Sequence, residues 1–174
     1  MIRVPEVSFR DRRPCLSGDY DWYNLTTSEI FDNKRVVVFA LPGAFTPTCS
    51  NFQLPGYDLS YNEFKALGID EVWCLSVNDA FVMNAWFKSQ DIQNVKSIPD
   101  GNGEFTHALG MSVAKSNLGF GFRSWRYAMI VNDNEIEQLF EEPGKVGNCS
   151  TDPYGISSPE TVLQYLKNNY SKKN

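Results

Sequence analysis

The residues best suited to do chemistry lie in one short stretch, Leu41-Pro42-Gly43-Ala44-Phe45-Thr46-Pro47-Thr48-Cys49-Ser50. Thr46-Pro47 has the form of a helix start, a hydroxyl N-cap followed by proline at the first helical position. That spacing puts Cys49 at the third helical position. The first N–H groups of a helix have no partner inside it and carry partial positive charge. A thiol there is biased toward the thiolate, which is the nucleophilic form. An N-cap threonine normally accepts a hydrogen bond from the second or third amide, which aims Thr46 at Cys49. The stretch thus reads as a tight turn presenting an activated cysteine beside a hydroxyl.

Other chemistry is sparse. The remaining cysteines are Cys15, Cys74 and Cys149, with no Cys-x-x-Cys pair, so neither a zinc knuckle nor a dithiol motif is expected. Cys15 sits in polar surroundings with nothing nearby to activate it. The only histidine is His107. A cysteine hydrolase would need a base beside Cys49, and no pattern brings His107 there. Arg126 stands at the start of an apolar run, on one face with Ala128 and Ile130, where its head can reach the end of a sheet.

The elements that must position these groups follow from the pattern. Val36 to Ala40 is β-branched and apolar, a buried strand leading into the motif. The helix from Thr46 is expected to run to Gly68, with a kink at Pro55-Gly56. Residues 71–77 read as a second strand, which makes a right-handed parallel βαβ unit. Asn78-Asp79 caps a helix with Phe81, Val82, Ala85 and Trp86 at helical spacing. Residues 97–103 read as a turn cluster, and 104–109 as a short helix. Residues 127–131 and 135–140 form a hairpin around Asn132-Asp133-Asn134. Residues 142–155 form a polar loop, and Ser158-Pro159 starts the last helix. At the N-terminus, residues 7–9 and 21–25 read as short strands of a hairpin, with an exposed turn at 10–15, and 27–31 as one helical turn. The pattern is α/β, a thioredoxin-like fold with a central mixed sheet flanked by helices, in one domain spanning residues 1–174.

The chain has 174 residues and a net charge of −5, with Lys and Arg scattered apart from a short tail at Ser171-Lys172-Lys173. That argues against nucleic acid or an anionic membrane as partner. No apolar run approaches a membrane span and no secretory signal opens the chain, so the expected location is cytoplasmic.

Pro42-x-x-x-Thr46-x-x-Cys49 resembles the peroxiredoxin active-site pattern, and the fuller Pro42 to Ser50 string resembles the type II, or type V, subfamily. The likeness continues through Leu54-Pro55-Gly56, Cys74 to Val82, Arg126 to Val131, Glu142-Pro143 and Cys149-Ser150, over about residues 3–168. The resemblance implies an extra N-terminal hairpin, thiol-dependent reduction of hydroperoxides, no metal or organic cofactor, and a homodimer formed through the active-site loops. It implies that Cys49 is the peroxidatic cysteine, that Thr46 bonds the peroxide and the thiolate, that Arg126 holds both, and that Pro42 shields the pocket. Gly43, Phe45 and Phe120 would complete that pocket, with Leu118 and Phe122 as further apolar wall. Cys149 matches the resolving cysteine of animal-type members and Cys74 that of plant-type members. The order of preference is Cys149, then an external thiol, then Cys74. The reductant would be glutathione with a glutaredoxin, or thioredoxin. Relatives often carry histidine where this chain has Gln53. A redox sensor or holdase without turnover is the alternative activity.

Overall fold

The computed structural model describes residues 2–170. β1 (Ser8–Pro14) and β2 (Tyr20–Thr26) form an antiparallel hairpin that is a sheet of its own. Residues 10–14, expected as a turn, belong to β1. Their basic side chains find aromatic partners, with Arg10 and Arg12 each 4.9 Å from the Trp22 ring and Arg13 3.9 Å from that of Tyr23. The Thr26 hydroxyl then caps α1 (Thr27–Phe31) by accepting from the Glu29 amide.

β3 (Arg35–Ala40) leads into the motif loop. Helical winding begins at Pro47, as the spacing predicts, but Cys49–Gln53 is a π-helical turn, followed by α2 (Leu54–Leu59) and α3 (Tyr61–Ala66). The expected kink at Pro55-Gly56 is instead a widened turn before it and a break at Ser60. Proline lacks an N–H and its ring opposes the carbonyl one turn earlier. The π turn accommodates this, with the Leu54 amide donating to Cys49 O five residues back.

β4 (Glu71–Ser76) pairs parallel with β3. In α4 (Ala80–Ser89) the buried side chains are Ala80, Met83 and Trp86; Trp86 is buried as expected and Val82 packs partly on the core, but Phe81 and Ala85 face outward. Phe81 is exposed and meets Trp22 of the hairpin edge-on at 5.7 Å. β5 (Lys96–Pro99) occupies part of the expected turn cluster. It is an edge strand ending at proline, where the missing N–H is tolerated. α5 (Glu104–Ala108), β6 (Ser112–Ala114), a 3₁₀ turn at Ser116–Leu118 and β7 (Phe122–Ser124) follow. β8 (Tyr127–Asn132) and β9 (Glu135–Glu141) form the expected hairpin, with Asp133 and Asn134 both at positive φ. α6 (Pro159–Tyr170) closes the described chain. The Lys-rich tail lies outside the described residues.

The main sheet has the order β5-β4-β3-β8-β9, with β3, β4 and β5 parallel and β8 and β9 antiparallel to their neighbours. Strand alternation divides the core in two. Val37, Phe39, Cys74, Ala128 and Ile130 face the layer built by α2, α3, α4 and α6, and Cys49 is buried in that layer. Val36, Val38, Leu75, Tyr127 and Met129 face the hairpin, α1 and α5. Arg126 precedes β8 on the face that carries Ala128 and Ile130, so the pleat aims it at Cys49.

Tyr57 ties the helix after Cys49 to both sheet and loop. Its ring stacks on Phe39 at 4.0 Å and 5°, and its hydroxyl donates to Ser157 O at 2.6 Å. Tyr57→Phe keeps the stack and orphans one carbonyl, so urea unfolding should register a loss of about 1–2 kcal/mol. Tyr57→Ala also opens a cavity and should cost about 3–5 kcal/mol. Equal losses for the two variants would show that the stack contributes nothing.

Candidate active site

Cys49 is fully buried at the start of the helical segment. The loop before it is held at two points. Ala44 donates its amide to Asn78 Oδ1 at 3.0 Å, and the same oxygen accepts from Ser76 Oγ at 2.6 Å, fixing the loop to the end of β4. Arg123 of β7 donates through Nη1 to Pro42 O at 3.1 Å and through Nε to Phe120 O at 3.1 Å. A Cβ on Gly43 would stand 2.5 Å from Arg123 Nη1, so only glycine lets the two pack this closely. From α4, Trp86 Nε1 donates to Ser50 Oγ at 2.9 Å and pins the residue after the thiol.

Thr46 stands at the expected N-cap position, and its carbonyl accepts from the Ser50 amide at 2.9 Å. Its hydroxyl does something else: it donates to Gly43 O at 2.7 Å. The expectation that it bonds a helix amide beside Cys49 is therefore corrected. The proton is committed backwards into the loop, which leaves the oxygen free to accept.

Arg126 is 2% exposed and donates from Nη2 to Cys49 Sγ at 3.4 Å. Its other partners come from the polar loop after β9. Asp152 forms an ion pair at 2.9 Å from Nη1 and accepts from Nη2 at 3.2 Å, and Pro153 O accepts from Nη1 at 3.2 Å. The ring of Tyr154 lies 5.7 Å away, and burial pushes its phenol up to about 12. Among the described residues, Nε of Arg126 has no partner. The loop itself is stapled by Glu142, whose Oε2 accepts from the amides of Gly155 and Ser157 at 3.0 and 2.8 Å and from Ser157 Oγ at 2.5 Å. Glu142 O also accepts from the Trp125 indole at 2.8 Å.

A cavity of about 340 Å³ opens beside this centre, lined by Pro42, Thr46, Phe120, Leu118, Lys115, Cys149 and Asp152, among others. Phe45 and Phe122, expected in its wall, do not line it. Phe45 has φ +65° and is 56% exposed, because the turn that delivers Thr46 throws its side chain outward. Gly43 lies behind the wall against Arg123.

Cys149 is half-buried at the cavity, with its sulfur 3.5 Å from Thr151 Oγ1. That hydrogen bond holds its thiol pKa below the ordinary value, with a smaller contribution from the Lys115 charge. Cys74 is fully buried in β4, and burial, then the charge of Cys49, pushes its thiol well up. His107 is exposed on α5, whose buried residue Phe105 packs on the opposite face of the sheet. Gln53 is fully buried in the π turn, and neither of its polar side-chain atoms has a partner among the described residues.

Sequence reasoning misses Arg123, Asp152 and Glu142. Arg123 lies in the glycine- and aromatic-rich segment 118–126, whose pattern shows an arginine there but assigns it no role, and Asp152 lies within a loop read only as polar. Glu142 appears only as part of a matching Glu-Pro pair. Each acts through a contact made by tertiary folding, across 81 residues for Arg123 and Pro42.

The comparisons with known proteins give the family and the fold. The Redoxin family profile matches residues 4–153. The chain is 59% identical over 169 residues to a peroxiredoxin of Rhizobium etli, covering 95% of this chain and 94% of that protein. It is 51% identical to the hybrid peroxiredoxin hyPrx5 of Haemophilus influenzae, over 94% of this chain and 64% of that protein. Its fold matches that of the Plasmodium falciparum antioxidant protein, described as a 1-Cys peroxiredoxin, with a TM-score of 0.92 and 39% identity over 97% of this chain and 99% of that one. With family, fold and a buried thiol under an arginine in agreement, the chain belongs to the Redoxin family and within it to the type II peroxiredoxins, thiol peroxidases of thioredoxin-like fold.

Proposed function

We propose that Cys49 is the peroxidatic cysteine, reducing hydrogen peroxide and alkyl hydroperoxides with Thr46 and Arg126 as its partners. The observation that carries this reading is the hydrogen bond from Arg126 to Cys49 Sγ, with a cavity lined by Pro42, Thr46 and the Arg126 partner Asp152 beside it. The Cys49 thiolate attacks the terminal oxygen of R–O–O–H. The S–O bond forms as the O–O bond breaks, and RO⁻ leaves and takes up a proton. Sulfur gives up two electrons and becomes a sulfenic acid. Negative charge spreads over sulfur and both oxygens on the way, and a fixed guanidinium beside that line stabilises it without reorganisation. Thr46, its own proton held by Gly43 O, accepts from the hydroperoxide O–H and orients it.

A second thiol condenses with the sulfenic acid, forms a disulfide and releases water. We assign that role first to Cys149, on its half-buried position at the same cavity and its hydrogen-bonded sulfur. The likeness to a protein described as a 1-Cys peroxiredoxin supports an external thiol as the second choice. Cys74, buried in β4, comes third. Thioredoxin, or glutathione with a glutaredoxin, completes the cycle. The protein works in the cytoplasm, where its four free thiols suit a reducing compartment. It pairs as a homodimer through the exposed apolar rim of Phe45, Leu118 and Phe122.

Three outcomes check this reading. Thr46→Val should slow oxidation of Cys49 by about 100-fold or more, whereas Thr46→Ser should keep most of the rate, measured by intact mass after rapid quenching. Equal rates for the two would remove Thr46 from the site. Asp152→Ala, which frees Arg126 from its main anchor, should slow the same step by about tenfold; an unchanged rate would make the ion pair incidental. Peptide mapping after one equivalent of hydrogen peroxide should find a Cys49–Cys149 disulfide. A gain of one oxygen without that bond would pass resolution to an external thiol.

A further inference from the structure

One charge in the cavity beside Cys49 has no part in the peroxide step as written, although it also acts on the Cys149 thiol. Lys115 lines the cavity but is only 3% exposed. Its backbone is locked into the glycine-rich loop, with its amide donating to Gly121 O at 2.6 Å and its carbonyl accepting from Phe120 at 3.1 Å. Its ammonium lies 5.6 Å from the ring centre of Trp125, a buried side chain that Glu142 O fixes in turn. Among the described residues, the ammonium makes no hydrogen bond or ion pair. Asp152, the acidic side chain lining the cavity, is engaged by Arg126 through both oxygens. The side chain is buried against Trp125 while its ammonium nitrogen reaches the open space of the cavity, where no counter-ion among the described residues meets it. The cavity, at about 340 Å³, has room for a small organic molecule and far exceeds what hydrogen peroxide needs.

We propose that Lys115 recognises a carboxylate on the substrate, so that the preferred peroxides are compact organic hydroperoxides bearing an acidic group. This rests on the peroxidatic reading of Cys49. The –OOH end would lie between Thr46 and Arg126, the apolar body along Leu118 and Phe120, and the carboxylate on the Lys115 ammonium. The reaction is the one already balanced, and Lys115 adds only a charge-assisted hydrogen bond at the far end of the substrate.

The test compares para-carboxycumene hydroperoxide with cumene hydroperoxide on the reduced full chain, reading the rate of oxygen gain at Cys49. The two rates are taken as a ratio within each protein, so that a general loss in a variant cancels. Wild type should favour the carboxylated peroxide by about tenfold, the effect of one charge-assisted hydrogen bond. Lys115→Met should bring the ratio to one or below, and Lys115→Arg should retain most of the preference. A ratio near one in wild type, or a preference surviving in Lys115→Met, overturns the proposal. A second arm reduces the oxidised proteins with glutathione and with cysteamine, which lacks a carboxylate. If Lys115→Met slows only glutathione and leaves the peroxide ratio intact, the ammonium serves the reductant and the substrate proposal falls. Failure of wild type to react with hydrogen peroxide would instead sink the peroxidatic reading itself.

Discussion

A guanidinium buried to 2% exposure is the constraint on which the active site depends. Arg126 cannot sit at the end of the sheet, under the helical layer, without acceptors for its guanidinium. The folded chain supplies them from two directions, the Cys49 sulfur from the helical side and Asp152 with the Pro153 carbonyl from the loop after β9. The loop residues arrive because Glu142 gathers the amides of Gly155 and Ser157 and because Tyr57 holds Ser157 O. Tyr57 in turn belongs to the helix that begins near Cys49. The arrangement is closed on itself: the loop that steadies the arginine is tied to the helix that carries the thiol.

This closure explains why acidity alone is a poor account of the chemistry. A free thiol of ordinary acidity is already about 3% thiolate at neutral pH, so complete deprotonation gains no more than about 30-fold. The larger share must come from positioning and from charge placed where the reacting oxygens will be. The structure spends its contacts accordingly. Asn78 and Arg123 fix the loop before Cys49, Trp86 fixes the residue after it, and the Thr46 proton is committed to Gly43 O. None of these contacts touches the sulfur, yet each removes a way for the site to loosen.

The parts legible in the sequence are those written locally. The apolar run of β3, the Thr-Pro helix start, the position of Cys49 and the Asp133-Asn134 turn each depend on a few adjacent residues. Arg126 is legible as a strand-start residue on a known face, because alternation along β8 fixes its direction. The rest depends on distant contacts. The sequence pattern for α4 points to Phe81, but the hairpin covers that face from outside and the core takes Met83. The π turn is hidden because Pro55 signals a disturbance without saying on which side it is absorbed. Phe45 looks like pocket wall by type, and only its positive φ turns it away. Arg123, Asp152 and Glu142 are charged residues in loops, a context in which the ordinary expectation is solvation. Folding alone gives them partners.

The same enclosure limits how the sulfenic acid we propose at Cys49 would be discharged. A disulfide needs Cα atoms within about 7 Å and Cβ vectors that face each other. Cys49 is fully buried within its layer, so a second sulfur reaches it only if backbone moves. Cys74 lies in the same buried cluster but in the middle of a paired strand, and freeing it would break ladder bonds on both sides. Cys149 lies in a segment with fewer such ties: Asn148 bonds Ala114 O and accepts from Ser116 and Asn117, while Cys149 packs at the edge of the hairpin-side core and its sulfur hydrogen-bonds Thr151. On the other side, the first helical turn lacks a side-chain cap, because the Thr46 hydroxyl donates to the loop, and it continues into π geometry. Local opening is easiest where backbone bonds are fewest and poorest. The chain thus concentrates its rigidity around Arg126, and we propose that the uncapped π turn bearing Cys49, rather than the paired strand of Cys74, is what opens if the sulfur is oxidised.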